Sequence, residues 1–173
     1  MEIMGLVVIV ILITLGILFL AQFSLQDKPR STIFLRKEVA ASSLSTIIKT
    51  TVKPGICPEN AQPSLSQVLV DCARHFPPGF GDQTFNCGGQ HSCQFFRETA
   101  LSLLNSSIGS WQRGYELQAY LIRASDVDPE PLLNPPVQGR GGCPATRNRD
   151  SSGSFPLPTI NAGKIEMILY VCG

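Results

Sequence analysis

Charge is scarce in this chain. Of its 173 residues only 16% are charged, and the formal net charge is +1, where an average soluble domain carries about 25% charged residues. That balance excludes a nucleic-acid binder relying on a basic field. Histidine is almost missing, with His75 and His91 alone. An apolar content of 43% excludes a disordered acidic tail. The length allows one domain of ordinary size and hardly two. Six Cys, 15 Gly and 13 Pro are unevenly spread over the chain. The first 25 residues hold most of the unbroken hydrophobicity and one charge, Glu2.

Residues Ile3 to Phe23 read IMGLVVIVILITLGILFLAQF without a charge. As a helix, about 20 apolar residues cross a hydrocarbon core of about 30 Å. A soluble core helix is rarely this apolar on every side. A cleaved secretory signal expects a positive n-region, a shorter apolar run and a small-residue cleavage site. No Lys or Arg precedes the run, and a retained helix is the better reading. Gly5 and Gly16 lie within it, eleven apart. This is not a GxxxG pair, though glycine does let helix backbones approach closely.

Orientation signals conflict. Lys28, Arg30, Arg36 and Lys37 follow the run, which favours placing that side in the cytoplasm. The six Cys lie in the last two thirds of the chain, in a Gly- and Pro-rich piece, and disulfides of that kind belong outside reducing compartments. The Cys argument carries more weight, because a basic leader removed ahead of Met1 would take the orientation signal with it.

The stretch MEIMGLVVIVILITLGILFL resembles the start of an archaeal type IV pilin-like protein after class III signal processing. Glu2 and the apolar run match that pattern over about 25 residues. The resemblance implies a helix that sits first in the membrane and later in a filament core. It also implies that the acidic residue pairs with the amine of a neighbouring subunit. The family's leader is not in this sequence, and a plain signal-anchor with Glu2 at the interface stays open.

Pro29 disfavours helix at Lys28, so a kink or break is expected there, with Ser31 or Thr32 capping a second helix. Leu35, Val39, Leu44, Ile47, Ile48 and Val52 recur at mainly helical spacing. Lys53-Pro54-Gly55 should end that helix. The segments read as an N-terminal membrane or filament-core helix, 1–28, an amphipathic stalk, 29–56, and a head, 57–173.

The head holds Cys57, Cys72, Cys87, Cys93, Cys143 and Cys172, which allow three bridges and 15 connectivities. Ser64 to Gln67 fits a capping box. Leu65, Val68, Leu69 and Cys72 then share a helix face, so Cys72 points inward. Residues 93–106 form a second helix burying Phe96, Ala100, Leu103 and Leu104, and Gly109 stops it. Tyr115 to Ile122 alternates as a strand with Leu117, Ala119 and Leu121 inward. Ile165 to Cys172 is a stronger strand, with Ile165, Met167, Leu169 and Val171 on one face. Between the strands lies a long loop, 124–162, with seven Pro and four Gly. Cys143 should tie it down, with Cys172 as the suggested partner, and Ser154–Pro158 suggests a short edge strand. The fold class expected is α+β: a long hydrophobic helix, then a small disulfide-rich head with two short helices and an antiparallel sheet.

No catalytic constellation stands out. Cys72, His75, Cys87, His91 and Cys93 offer zinc-type ligands, but the spacing fits no standard finger, and structural disulfides are preferred. An even Cys count leaves no thiol for a Cys–His nucleophile. Asp126, Asp128 and Glu130 alternate, but the Gly and distal Glu of an EF-hand loop do not follow, so a polar turn is read there. Gly139-Arg140-Gly141-Gly142 lacks the phosphate-loop Lys. Asn105-Ser106-Ser107 is a glycosylation sequon. Trp111, Tyr115 and Phe155 read as core.

The expectation is a non-enzymatic structural subunit of an extracellular pilus-like filament, assembling through its N-terminal helix with Glu2, Gly5 and Gly16 in the packing. No metal or cofactor is implied. Its partners would be copies of itself and, before assembly, membrane lipid, with no nucleic acid. The alternative is a single-pass anchored domain whose extracytoplasmic head binds a surface partner or belongs to a membrane complex.

Overall fold

The structure, a computed structural model, describes residues 2–26, 29–58, 61–77, 84–123, 128–139, 141–145, 148–159 and 163–172. Within the helices, residues 2–4, 6, 23–26 and 29–34 are described by their backbone alone. The chain divides into two compact units, Met1–Leu35 and Arg36–Gly173.

The first unit contains α1, Glu2–Gln26. The side chains described there are those of Val7 to Gln22, together with Gly5. Among the described residues no helix is long and apolar enough to cross a membrane. At both ends of the expected span, Ile3 to Phe23, side chains lie outside the described ones. The kink expected at Lys28 also lies outside the described residues. The second helix, α2, runs Pro29–Lys49. It opens at Pro29, ahead of the caps expected at Ser31 or Thr32, and proline suits a first helical position because its missing N–H would have no partner there. It ends before Lys53-Pro54-Gly55: Thr50 N–H donates to Thr46 O and Ile47 O, Val52 N–H to Pro63 O at 2.9 Å and Leu65 N–H to Thr50 O at 2.8 Å. The chain after α2 thus pairs with the approach to the next helix instead of prolonging its own.

The second unit is an α+β domain built on a disulfide-linked antiparallel sheet. Helix α3, Leu65–Arg74, starts with the expected capping box: Ser64 Oγ accepts from Gln67 N–H, and Gln67 Oε1 accepts from Ser64 N–H at 2.8 Å. Helix α4 spans Ser92–Ser106. Strand β1, Tyr115–Ile122, pairs along its whole length with β6, Lys164–Cys172, from Tyr115↔Val171 to Ile122↔Lys164. Tyr115, Leu117, Ala119 and Leu121 share one buried face with Ile165, Met167, Leu169 and Val171. Leu44, Ile47 and Ile48 of α2, Val68, Leu69 and Cys72 of α3, and Phe96, Ala100 and Leu104 of α4 join that face in one hydrophobic cluster. Leu103 is only partly buried beside it. In α2 the buried stripe includes Ala40, while Leu35 is 57% exposed, so the stripe begins later than the spacing suggests.

The stretch expected as a long loop, 124–162, carries four short strands. Glu130–Pro131 (β2) and Val137–Gly139 (β3) both pair with β1. Arg149–Ser151 (β4) and Phe155–Pro158 (β5) both pair with β6. The edge strand expected near Ser154–Pro158 is therefore present, and the same stretch holds three more. Proline is tolerated at sheet edges, where a missing donor costs least, and each of these pieces is two to four residues long.

Three bridges hold the loops: Cys57–Cys87, Cys72–Cys93 and Cys143–Cys172. The last is the pairing suggested for the 124–162 stretch. A buried carboxylate does similar work. Glu116 is 8% exposed and accepts from Gln118 Nε2, from Gln138 Nε2 at 3.1 Å and from Cys143 N–H at 3.4 Å. A buried charge without such donors would be strongly unfavourable. Gly139 faces the Tyr115 ring so closely that an added Cβ would collide with it.

Two outcomes test this account. Replacing Cys143 and Cys172 together with Ala should cost about 3 kcal/mol in denaturant unfolding of the oxidised protein, the usual effect of closing a loop of this size. Gly139→Ala should cost about 1–3 kcal/mol in the same unfolding measurement, through overpacking against Tyr115.

Candidate functional site

Two regions of the described molecule have features that point beyond folding: the surface of α1, and the junction of α3 with α4.

On α1, the large apolar side chains between Val7 and Leu20 are 47–72% exposed. They point in every direction around the helix, because residues 7–13 are all apolar and exposed. Thr14 is the polar exception, and its hydroxyl donates to its own helix, to Val10 O at 3.0 Å and Ile11 O at 2.9 Å. Between Val7 and Leu20 the helix therefore offers almost no polar group to water. Gly5 and Gly16 have nothing within 4 Å of where a Cβ would stand, so each is an open notch on the helix surface. Glu2 belongs to α1, and its side chain lies outside the described residues.

At the α3–α4 junction, Asp71 is 3% exposed. Its carboxylate accepts from Thr84 N–H and Phe85 N–H, both at 3.2 Å, and His75 Nδ1 lies 3.4 Å from Oδ1. His91 caps α4: its Nδ1 accepts from Cys93 N–H at 3.2 Å. A neutral imidazole accepting through Nδ1 carries its proton on Nε2. That Nε2–H is buried and has no partner among the described residues. Burial pushes the His91 pKa below the ordinary 6.5; His75 acts in the same direction, and Asp71 opposes both. Two turns along, Glu98 accepts from Gln94 Nε2 and Gln90 Nε2, both at 3.0 Å, and these two bonds hold its carboxyl below the usual range.

The zinc-type ligands are not brought together. Cys72 and Cys93 bond to each other, Cys87 bonds to Cys57, and no described thiol is free. Among the described residues no group of three His, Cys, Asp or Glu could hold a metal ion. Asp126 lies outside the described residues, and Glu130 forms an ion pair with Arg123 at 2.9 Å. Asn105 sits exposed in the last turn of α4, where its Oδ1 accepts from Tyr115 O–H at 2.8 Å. Burial pushes the Tyr115 phenol pKa up. Tyr115 is fully buried and Phe155 packs on the core, as expected, but Trp111 is not core: it is 61% exposed. It sits in a tight 3-10 turn, Gly109–Trp111, where Ile108 takes the buried position instead.

The cap role of His91 and the burial of Asp71 are missing from the sequence reading. One signal pointed to Asp71: it is a lone acid beside the apolar stripe of α3. Comparison of the chain with protein-family models, curated proteins and solved structures gives no match.

His91 sets a pH dependence. Its folded pKa is depressed, so its contribution is fully present above about pH 6.5 and is lost as pH falls below that. His91→Asn keeps a capping side chain. Denaturant unfolding from pH 7 to pH 5 should show a shallower loss of stability for H91N than for the parent. Equal slopes would remove His91 as the responsible group.

Proposed function

We propose that this chain is a structural subunit of an extracellular type IV pilus-like filament, assembled through α1. The observation that carries this reading is the all-round apolar surface of α1. A soluble protein rarely leaves so large a contiguous apolar surface in water. Lipid or neighbouring copies of the same helix would cover it, and Gly5 and Gly16 would let those helices approach closely. Before assembly the helix would lie in the membrane with the head outside; afterwards it would lie in the filament core. The disulfide-linked head suits the exterior, where oxidised cysteines persist.

The energetics of such an assembly are particular. Moving an apolar helix from lipid into a bundle gains little hydrophobic free energy, because lipid tails are equally apolar. Packing and electrostatics would then set the register. A carboxylate at Glu2 is costly within an apolar bundle unless it meets a cation, and the N-terminal amine of a neighbouring copy would supply one. A second reading, a monomeric anchored domain that binds a surface ligand, is favoured by the cavity described below.

Electron microscopy of material sheared from cells separates the two, with filaments expected under the first reading and none under the second. Glu2→Gln should reduce filament yield by about tenfold or more, the effect of losing one desolvated ion pair, while membrane fractionation of the unassembled chain stays unchanged. Normal filaments from the variant would remove Glu2 from the assembly mechanism.

A further inference from the structure

A cavity of about 670 Å³ opens beside α4, within the range of small-molecule sites. Phe76, Leu101, Leu132 and Leu133 supply an apolar lining. Leu132 and Leu133 are held there by their own N–H groups, which donate to Ala119 O of β1 at 2.8 and 3.4 Å. The sheet and α4 therefore fix the two walls independently of any ligand.

The polar part of the lining is uneven. Arg97 is exposed and makes no ion pair or hydrogen bond among the described residues. Among the described residues it is the only Lys or Arg lining this cavity. His91 also lines it, and burial favours its neutral form, so it adds no second cation. Glu98 is the one acid of the lining among the described residues, and its two oxygens already accept from Gln90 and Gln94.

We propose that this cavity binds an amphipathic monocarboxylate, with its apolar body on the leucine wall and its carboxylate on Arg97. One guanidinium pairs naturally with one carboxylate, through two parallel hydrogen bonds. Glu98 interacts electrostatically with Arg97 and opposes every negative charge in the cavity, so phosphate dianions and dicarboxylates are disfavoured more than a single carboxylate. Asn134, at the rim, offers an amide to a remaining oxygen. The proposal does not depend on filament assembly and stands or falls separately from it.

A photoreactive 4-phenylbutyrate carrying a diazirine on its ring is the direct probe, used on the full oxidised chain with peptide mapping of the adducts. Adducts are expected within 94–101 and 132–134, competed by unlabelled 4-phenylbutyrate. The primary amide of the same probe should label about tenfold less, and Arg97→Gln should lose about tenfold in labelling by the acid, with little change for the amide, as expected for one charge-assisted pair. Arg97 is exposed, so the variant should keep the parent's unfolding midpoint. The amide comparison on the parent chain tests the charge requirement without any substitution. Labelling spread over other segments, or equal labelling by acid and amide, would overturn the proposal.

Discussion

The pairing of β1 with β6 lays eight apolar side chains on one face of a sheet, and that face has to be covered. Helices α2, α3 and α4 all contribute to the cover. Burial of this kind is the main favourable term in a small domain, and the rest of the head is arranged around it. The segments that join these elements are rich in Pro and Gly and add a few side chains to that burial, Leu132, Leu133 and Val137 among them. Cross-links hold them as well. Cys143–Cys172 and the Glu116 carboxylate fasten the 137–143 stretch to the two central strands. Cys72–Cys93 joins α3 to α4, and the Asp71 carboxylate fastens Thr84 and Phe85 to α3. Each carboxylate accepts from backbone N–H groups, Cys143 for Glu116 and Thr84 and Phe85 for Asp71.

The first unit follows a different rule. Its helix keeps large apolar side chains about half exposed or more, where the head buries most of its own. The two patterns suit two environments, and this contrast underlies the proposal of a helix for lipid or for other helices beside a head for water.

Much of the head was legible because its signals are local. Residues Leu117, Ala119 and Leu121 alternate with polar neighbours, and Leu65, Val68, Leu69 and Cys72 recur at helical spacing. The capping box at Ser64 announces its own helix. The strands β2, β3 and β4 were not legible. They are two or three residues long and exist only because β1 and β6 present open edges to them, which no local pattern records. Leu35 and Trp111 have apolar side chains and still face outward, since a periodic pattern does not say where a stripe begins or which neighbour takes the last buried place. The cavity beside α4 was invisible for a related reason. It joins Arg97 and Leu101 to Leu132 and Leu133, some 30 residues on, and only the sheet brings them together.

The account rests on an oxidised head with a definite set of cross-links. Native protein can be treated with N-ethylmaleimide, digested without reduction and mapped by mass spectrometry. Peptides joining Cys57 to Cys87, Cys72 to Cys93 and Cys143 to Cys172 are expected, with no maleimide on any of the six. Maleimide on these cysteines, or a different set of joined peptides, would contradict it.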